Sequence, residues 1–179
     1  MRRDRFDRLY LLIALIVVIA IAALLSGFGD AGVAGAGSKR NPALERAMQE
    51  RARANFLLEL YAPVEKLVAL GNYTEAMLTL QGLEKTYPGE AHTAIMRGSI
   101  LVKQGVLGEG LLQYTAAVKT NGDYVDAKSS LNRRDELTRL VDSALPRIRQ
   151  SIKQASTPSL ERSLKDVYYL QSRLAGGCE

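Results

Sequence analysis

Residues 71–76 read Gly-Asn-Tyr-Thr-Glu-Ala, and residues 105–110, which lie 34 positions later, read Gly-Val-Leu-Gly-Glu-Gly. The dipeptide Tyr87-Pro88 is followed at the same offset by Asn121-Gly122. A helical hairpin of this length cannot cover its own apolar face, so a fixed period indicates hairpins that stack on one another. The chain is therefore predicted to be all-α, and stacked hairpins are typical of proteins that bind other proteins.

The residue types at these positions have physical reasons. Gly71 and Gly105 each follow an apolar helical run and adopt a positive φ at little cost, which ends one helix and lets the next fold back. Pro88 cannot continue a helix and so separates two units. Small side chains at Ala76 and Gly98 are expected to let paired helices approach closely.

This pattern resembles the tetratricopeptide repeat family. In a first unit at residues 57–90, Gly71 stands at the turn between helices, and the other matches are Tyr73, Ala76 in the small-residue slot, Leu80 in the aromatic slot and Pro88 at the end. The first half of that unit departs from the family pattern, because Pro63 and Val64 occupy the usual leucine and glycine slots.

A second unit at residues 91–124 keeps Gly98 in the glycine slot and Tyr114 in the aromatic slot. Arg97 replaces the leucine, and Gly122 replaces the proline. A third register, which begins at residue 125, keeps only three matches: Leu131, Ala144 and Ile148. The resemblance covers two repeats and a third that matches only weakly. The alternative is an unrelated antiparallel helix bundle.

Helical periodicity fills residues 42–175. Asn41 and Pro42 look like a helix start, and the first helix is expected to run to Leu70 with a kink at Pro63. Three further helices are predicted at 74–86, 90–104 and 108–120. A long helical pattern then opens at residue 123 and is interrupted at Pro146, and Thr157 caps a last helix that ends near residue 175.

The last helix is predicted to be amphipathic and to cap the open end of the solenoid. Its apolar stripe comprises Leu160, Leu164, Val167, Tyr168 and Leu174. Four charged residues are expected elsewhere around the helix: Arg162, Lys165, Asp166 and Arg173. The competing interpretation is a partner surface anchored by Tyr168 and Tyr169.

The N-terminal segment, residues 1–41, predicts a membrane anchor and a tether. Residues 9–25 form 17 consecutive positions without a charge, and residues 1–8 hold four arginines. We expect residues 1–8 to be cytoplasmic, residues 9–28 to form one transmembrane helix, residues 29–41 to form a flexible Gly/Ala linker, and residues 42–179 to form the helical domain outside the cytoplasm. The alternative is a cleaved secretory signal with a site near Ala36.

Charge and composition exclude several classes of function. Of the net charge of +5, six basic and three acidic residues in positions 1–41 supply +3, and 18 basic and 16 acidic residues leave +2 for the domain, which is too little to indicate nucleic acid. Cys178 is the single cysteine, so no internal disulfide forms. His92 is the single histidine, so three protein ligands with nitrogen or sulfur donors cannot be assembled for a metal site. No phosphate loop or nucleophile motif occurs, so we predict no enzyme activity, no cofactor and no small-molecule substrate.

The family resemblance also implies a working surface. In similar proteins the first helix of each hairpin lines a concave groove that binds a peptide or a partner's helix. Transfer by register gives these groove positions: Tyr61, Glu65, His92, Ile95, Ser99, Lys103, Ser129 and Arg133. This set does not reproduce the cationic clamp that some relatives use for a terminal carboxylate. Lys103 and Arg133 are expected to be solvated.

Together these features predict a single-pass protein of the inner membrane with its helical domain in the periplasm. We expect it to be a scaffold or accessory subunit that binds membrane-associated protein partners and contacts lipid through residues 9–28. Two alternatives stay open: a periplasmic chaperone-like helper in export or envelope assembly, and a permanent structural subunit of a membrane enzyme complex held by its anchor helix.

Overall fold

Helices are the regular elements of residues 41–176, which are the residues that the computed structural model describes. In chain order they are α1 (Pro42–Ala69), α2 (Tyr73–Thr86), α3 (Ala91–Lys103), α4 (Leu107–Thr120), a 3-10 turn (Gly122–Tyr124), α5 (Arg134–Gln154) and α6 (Pro158–Leu174). This part of the chain contains no strand, so the all-α prediction is confirmed for it.

Among the described residues, those from 46 to 176 form one compact unit. The predicted cytoplasmic segment 1–8, membrane helix 9–28 and nearly all of the linker 29–41 lie outside the described residues. Among the helices of residues 41–176, none combines the length and the apolar character that a membrane crossing requires.

The sequence period recurs in the backbone. Helices α2 and α4 both have 14 residues and start 34 positions apart. Gly71 and Gly105 have φ values of 79° and 86°. The residue after each glycine donates a backbone hydrogen bond to the preceding helix. The Asn72 N–H donates to the Leu67 carbonyl and the Val106 N–H to the Leu101 carbonyl, at 2.9 Å in both cases. Each turn therefore closes the helix before it in the same way.

Close packing of α3 against α4 depends on two glycines. A Cβ atom placed on Gly98 would lie 3.0 Å from the Tyr114 ring, and one on Gly110 would lie 2.5 Å from Cγ2 of Val102. Gly110 is the counterpart, in the second unit, of Ala76, which is itself fully buried. The small residue at Gly98 therefore permits the close helix contact that the sequence predicted for it, whereas for Ala76 the structure shows burial.

The core of residues 46–176 is continuous from α1 to α6. Helices α3 and α4 form the most extensive pair, and α6 packs against both α4 and α5. Helix α6 begins as predicted, because the Thr157 hydroxyl accepts a hydrogen bond of 3.3 Å from the Leu160 N–H, and Pro158 occupies the first turn.

The predicted helix from residue 123 is wrong in its first third. After the 3-10 turn the backbone is irregular until α5 begins at Arg134. Side-chain oxygens of Asn121, Asp126 and Asn132 each accept a hydrogen bond from the backbone N–H two residues later, at 2.8–2.9 Å. Such local bonds compete with helical ones, which explains why the apolar spacing did not produce a helix there.

The predicted interruption at Pro146 is also wrong, because α5 continues through it, as α1 continues through Pro63. Both proline rings are on the solvent side. The buried neighbours Ala144 and Ile148 hold α5 against the core on either side of Pro146. Packing therefore offsets the loss of one backbone hydrogen bond.

The inward face of α6 differs from its predicted stripe. Tyr168 is 41% exposed, whereas Tyr169 packs on the core and carries the Lys119 ammonium group 4.9 Å from its ring centroid. Asp166, which was expected away from the apolar stripe, is buried. Burial raises the pKa of its carboxyl group, and the positive charge of Lys119 opposes that effect.

Candidate functional site

An open groove of about 540 Å³ crosses α1, α3 and α5. Helices α1 and α3 contain the groove positions that the resemblance gave for the first two units, whereas those of the third unit, Ser129 and Arg133, precede α5. Apolar side chains form part of its surface: Val68 and Ala69 from α1, Met96 and Val102 from α3, and Leu140 from α5. The charged side chains at the groove are Glu65, Lys103, Arg133, Glu136 and Arg139.

Four of the eight predicted groove residues line this groove, namely Glu65, Ser99, Lys103 and Arg133. Ser129 does not, since it is partly exposed in the irregular segment before α5 and lines a separate cavity of about 180 Å³ with Glu50 and Asp126. The structure thus brings together the predicted residues near the C-terminal ends of α1 and α3, and leaves Ser129 apart.

Tyr61, His92 and Ile95 were predicted to be exposed in the groove, and this prediction is wrong because all three are fully buried. The 3-10 turn contributes to the burial of His92. Its Tyr124 side chain is buried beside His92, with the two ring centroids 5.8 Å apart. The repeat register does not contain this turn, so it could not show that Tyr124 lies against His92.

His92 lies in a stack of three tilted rings, with Tyr61 and Tyr124 as its neighbours. The His92 ring centroid is 4.7 Å from that of Tyr61 and its Nδ1 atom is 3.3 Å from the Tyr124 hydroxyl. The Tyr61 hydroxyl makes a 2.6 Å hydrogen bond with the Thr93 hydroxyl. The buried His92 Nε2 atom has no hydrogen-bond partner among the described residues. Burial, followed by the positive charge of Arg133, lowers the pKa of His92 to about 4.

Arg133 joins the walls of the groove. Its guanidinium group forms an ion pair with Glu65 of α1, and its Nη1 atom lies 3.9 Å from a Glu136 carboxylate oxygen. The Tyr114 hydroxyl of α4 donates a hydrogen bond to the other oxygen of Glu136. The Arg133 backbone N–H donates to the Tyr124 carbonyl at 2.8 Å. The prediction that Arg133 is solvated is therefore wrong, because the residue is a half-buried tie between α1 and α5.

The contact with Glu136 also affects the pKa of Tyr114. Burial and the adjacent negative charge of Glu136 both raise the pKa of the Tyr114 phenol, so it stays a hydrogen-bond donor. The groove walls are held by these contacts in the unbound molecule, which favours a preformed binding surface.

Sequence reasoning missed Tyr114, Glu136 and Arg139 as groove residues. Residues 136, 140 and 143 share one face of α5 at an i, i+4, i+7 spacing, but the sequence does not show that this face and Tyr114 of α4 border the same cavity as α1 and α3. Within the described part of the chain, no group of three histidine, cysteine or acidic side chains could hold a metal ion.

Comparison with protein-family models, with curated proteins and with solved structures found no match. The groove and its side chains are therefore the basis for the function proposed below.

Proposed function

We propose that this chain is a membrane-anchored, tetratricopeptide-like interaction module that holds a segment of another protein in the groove across α1, α3 and α5. Its role is that of a scaffold or accessory subunit of a membrane complex. The observation that carries the proposal is the groove itself, an open cavity of about 540 Å³ with apolar and charged walls from three separate helices. Such concave surfaces, built from successive hairpins, suit extended partners.

The assignment to tetratricopeptide-like hairpins is supported by backbone geometry that repeats from one hairpin to the next. The two inter-helix turns share a positive-φ glycine and the same hydrogen-bond pattern. The helix ends after each second helix also correspond, because Tyr87 and Asn121 each donate to the carbonyl four residues earlier at 2.8 Å. In this proposal α5 and α6 complete and cap the two hairpins formed by α1–α4.

The anchor is the sequence-based half of the proposal. An uncharged run at residues 9–25 after four arginines would hold the protein in the inner membrane with the helical domain on the periplasmic side. A short Gly/Ala tether would keep the groove near the bilayer, where membrane-associated partners are concentrated.

Site-specific photo-crosslinking in native membranes tests the groove. A photoreactive amino acid is placed in the full-length chain at Ser143, an exposed position on the groove wall, or at Leu112, an exposed position of α4 that does not line it. We expect a discrete protein adduct from position 143 and none from position 112. Adducts of equal yield from both positions, or from neither, would contradict the proposal.

A further inference from the structure

The charged side chains of the groove are not equally satisfied. Glu65 and Glu136 both contact Arg133, and Glu136 also accepts from the Tyr114 hydroxyl. Lys103 and Arg139 are exposed at the same groove. Within residues 41–176 neither of these two cations makes an ion pair or a side-chain hydrogen bond. The groove therefore presents two available positive charges, while its negative charges already have partners.

These two cations stand on different helices. Lys103 is the last residue of α3, and Arg139 lies in the second turn of α5. Apolar surface belongs to the same cavity, including half-buried Val102 and exposed Ala69. A ligand that lies across the groove thus meets a positive charge from each of two helices and an apolar contact within the same cavity.

We propose, on the basis of the proposed function, that the groove selects an acidic segment of its protein partner. Side-chain carboxylates of that segment pair with Lys103 and Arg139, and a neighbouring apolar side chain contacts Val102 and Ala69. Arginine offers a forked pair of N–H donors to a carboxylate, and charge-assisted hydrogen bonds of this kind fix orientation as well as affinity.

A basic segment would be disfavoured for two reasons. It would be repelled by the two available cations, and it could use Glu65 or Glu136 only by displacing Arg133 from a contact that already exists. Placing like charges together at an interface is costly, so the groove discriminates by charge rather than by apolar contact alone.

Fluorescence anisotropy with defined peptides tests the selection. The purified full-length protein in neutral-lipid nanodiscs is titrated with two labelled peptides that share their length and leucine positions, one carrying glutamates and the other lysines. Both are amidated at the C-terminus, so that side chains provide the only carboxylates. We expect the acidic peptide to bind with an affinity that falls as salt rises, and the basic peptide not to bind.

A charge-reversed pair of variants identifies the site. Lys103→Glu with Arg139→Glu should weaken binding of the acidic peptide by about tenfold or more and should give measurable binding of the basic peptide. The matched control is Lys128→Glu with Arg147→Glu, which changes the net charge equally at exposed positions that do not line the groove. The control pair should leave the affinity within about twofold, and both pairs should keep the wild-type melting temperature within a few degrees, because exposed substitutions change stability by less than about 0.5 kcal/mol.

Several results would overturn the acidic selection. They are equal binding of both peptides, binding of neither, an equal loss in the control pair, and displacement of the acidic peptide by phosphatidylglycerol vesicles, which would assign the cations to lipid. None of these results alters the crosslink from position 143. If the crosslink forms but the acidic peptide is not selected, the groove remains an interaction site and only its preference for acidic segments is refuted.

Discussion

His92 makes the stability of the helical domain depend on pH in a direction that the structure fixes. Its ring is packed between Tyr61 and Tyr124, and burial together with Arg133 lowers its pKa from 6.5 to about 4, although Glu65 acts in the opposite direction. The unfolded chain therefore binds a proton near pH 6.5, whereas the folded domain resists protonation until about pH 4. The contribution of His92 to the free energy of unfolding is therefore fully present above pH 6.5 and is lost as the pH falls towards 4.

The magnitude follows from the difference between these two pKa values. At about 1.36 kcal/mol per pKa unit, the full difference corresponds to about 3 kcal/mol, of which about 2–3 kcal/mol is lost by pH 4.5. Domains of this size have free energies of unfolding of about 5–15 kcal/mol. One histidine would therefore remove a large share of the stability of this domain in mildly acidic solution.

Urea denaturation followed by circular dichroism measures this effect. The free energy of unfolding of residues 42–179 is determined at several pH values between 4.5 and 7.5, for the wild type and for His92→Phe. The phenylalanine keeps an aromatic ring in the stack and removes the titrating group. Other titrating groups, such as Asp166 with its raised pKa, are common to both proteins and cancel in the comparison.

We expect the wild type to lose about 2–3 kcal/mol more than His92→Phe between pH 7.5 and 4.5. The variant will be less stable at neutral pH if the contact of His92 with the Tyr124 hydroxyl contributes, but only the difference in slope tests the reasoning. Parallel pH profiles for the two proteins would show that His92 is accessible to protons in the folded state, and would refute the buried stack.

Three further predictions concern packing and topology. Gly110→Ala should lower the free energy of unfolding by about 1–3 kcal/mol, because its Cβ would lie 2.5 Å from an α3 side chain. Gly82→Ala, whose Cβ would meet nothing within 4 Å, should stabilise α2 by about 0.5–1 kcal/mol. Thermal melts that show equal costs for the two variants would contradict this packing. Tyr169→Ala should lower the melting temperature more than Tyr168→Ala, and the reverse order would restore the sequence-based stripe. The full chain should resist alkaline carbonate extraction, and protease added outside the inner membrane should digest residues 42–179; release into the soluble fraction would instead support cleavage near Ala36.

Features set by neighbouring residues were predictable from sequence. The glycines at 71 and 105 ended α1 and α3 close to the predicted positions, and Thr157 began α6 as expected. These signals work because turn conformation and helix capping depend on a few adjacent backbone groups. Four of the eight predicted groove residues line one cavity, and their role in binding stays a prediction.

The remaining features depend on residues that are distant in sequence. Arg133 pairs with Glu65, 68 residues earlier, and no local pattern in the segment that precedes α5 specifies that partner. The burial of His92 likewise involves Tyr124, which lies 32 residues later and whose ring centroid is 5.8 Å from that of His92. Helical periodicity shows that one face is apolar, but which part of that face is covered depends on what packs against it.

Local sequence signals predicted that residues 42–175 are mostly helical and where most of the helices begin and end, because these properties follow from local backbone chemistry. Tertiary packing determines that α5 continues through Pro146 and that Tyr169 rather than Tyr168 faces inward. It also decided which charges of the groove are paired within the described residues and which two cations are left available. The physical reason is that burial and charge pairing are properties of groups brought together from different helices.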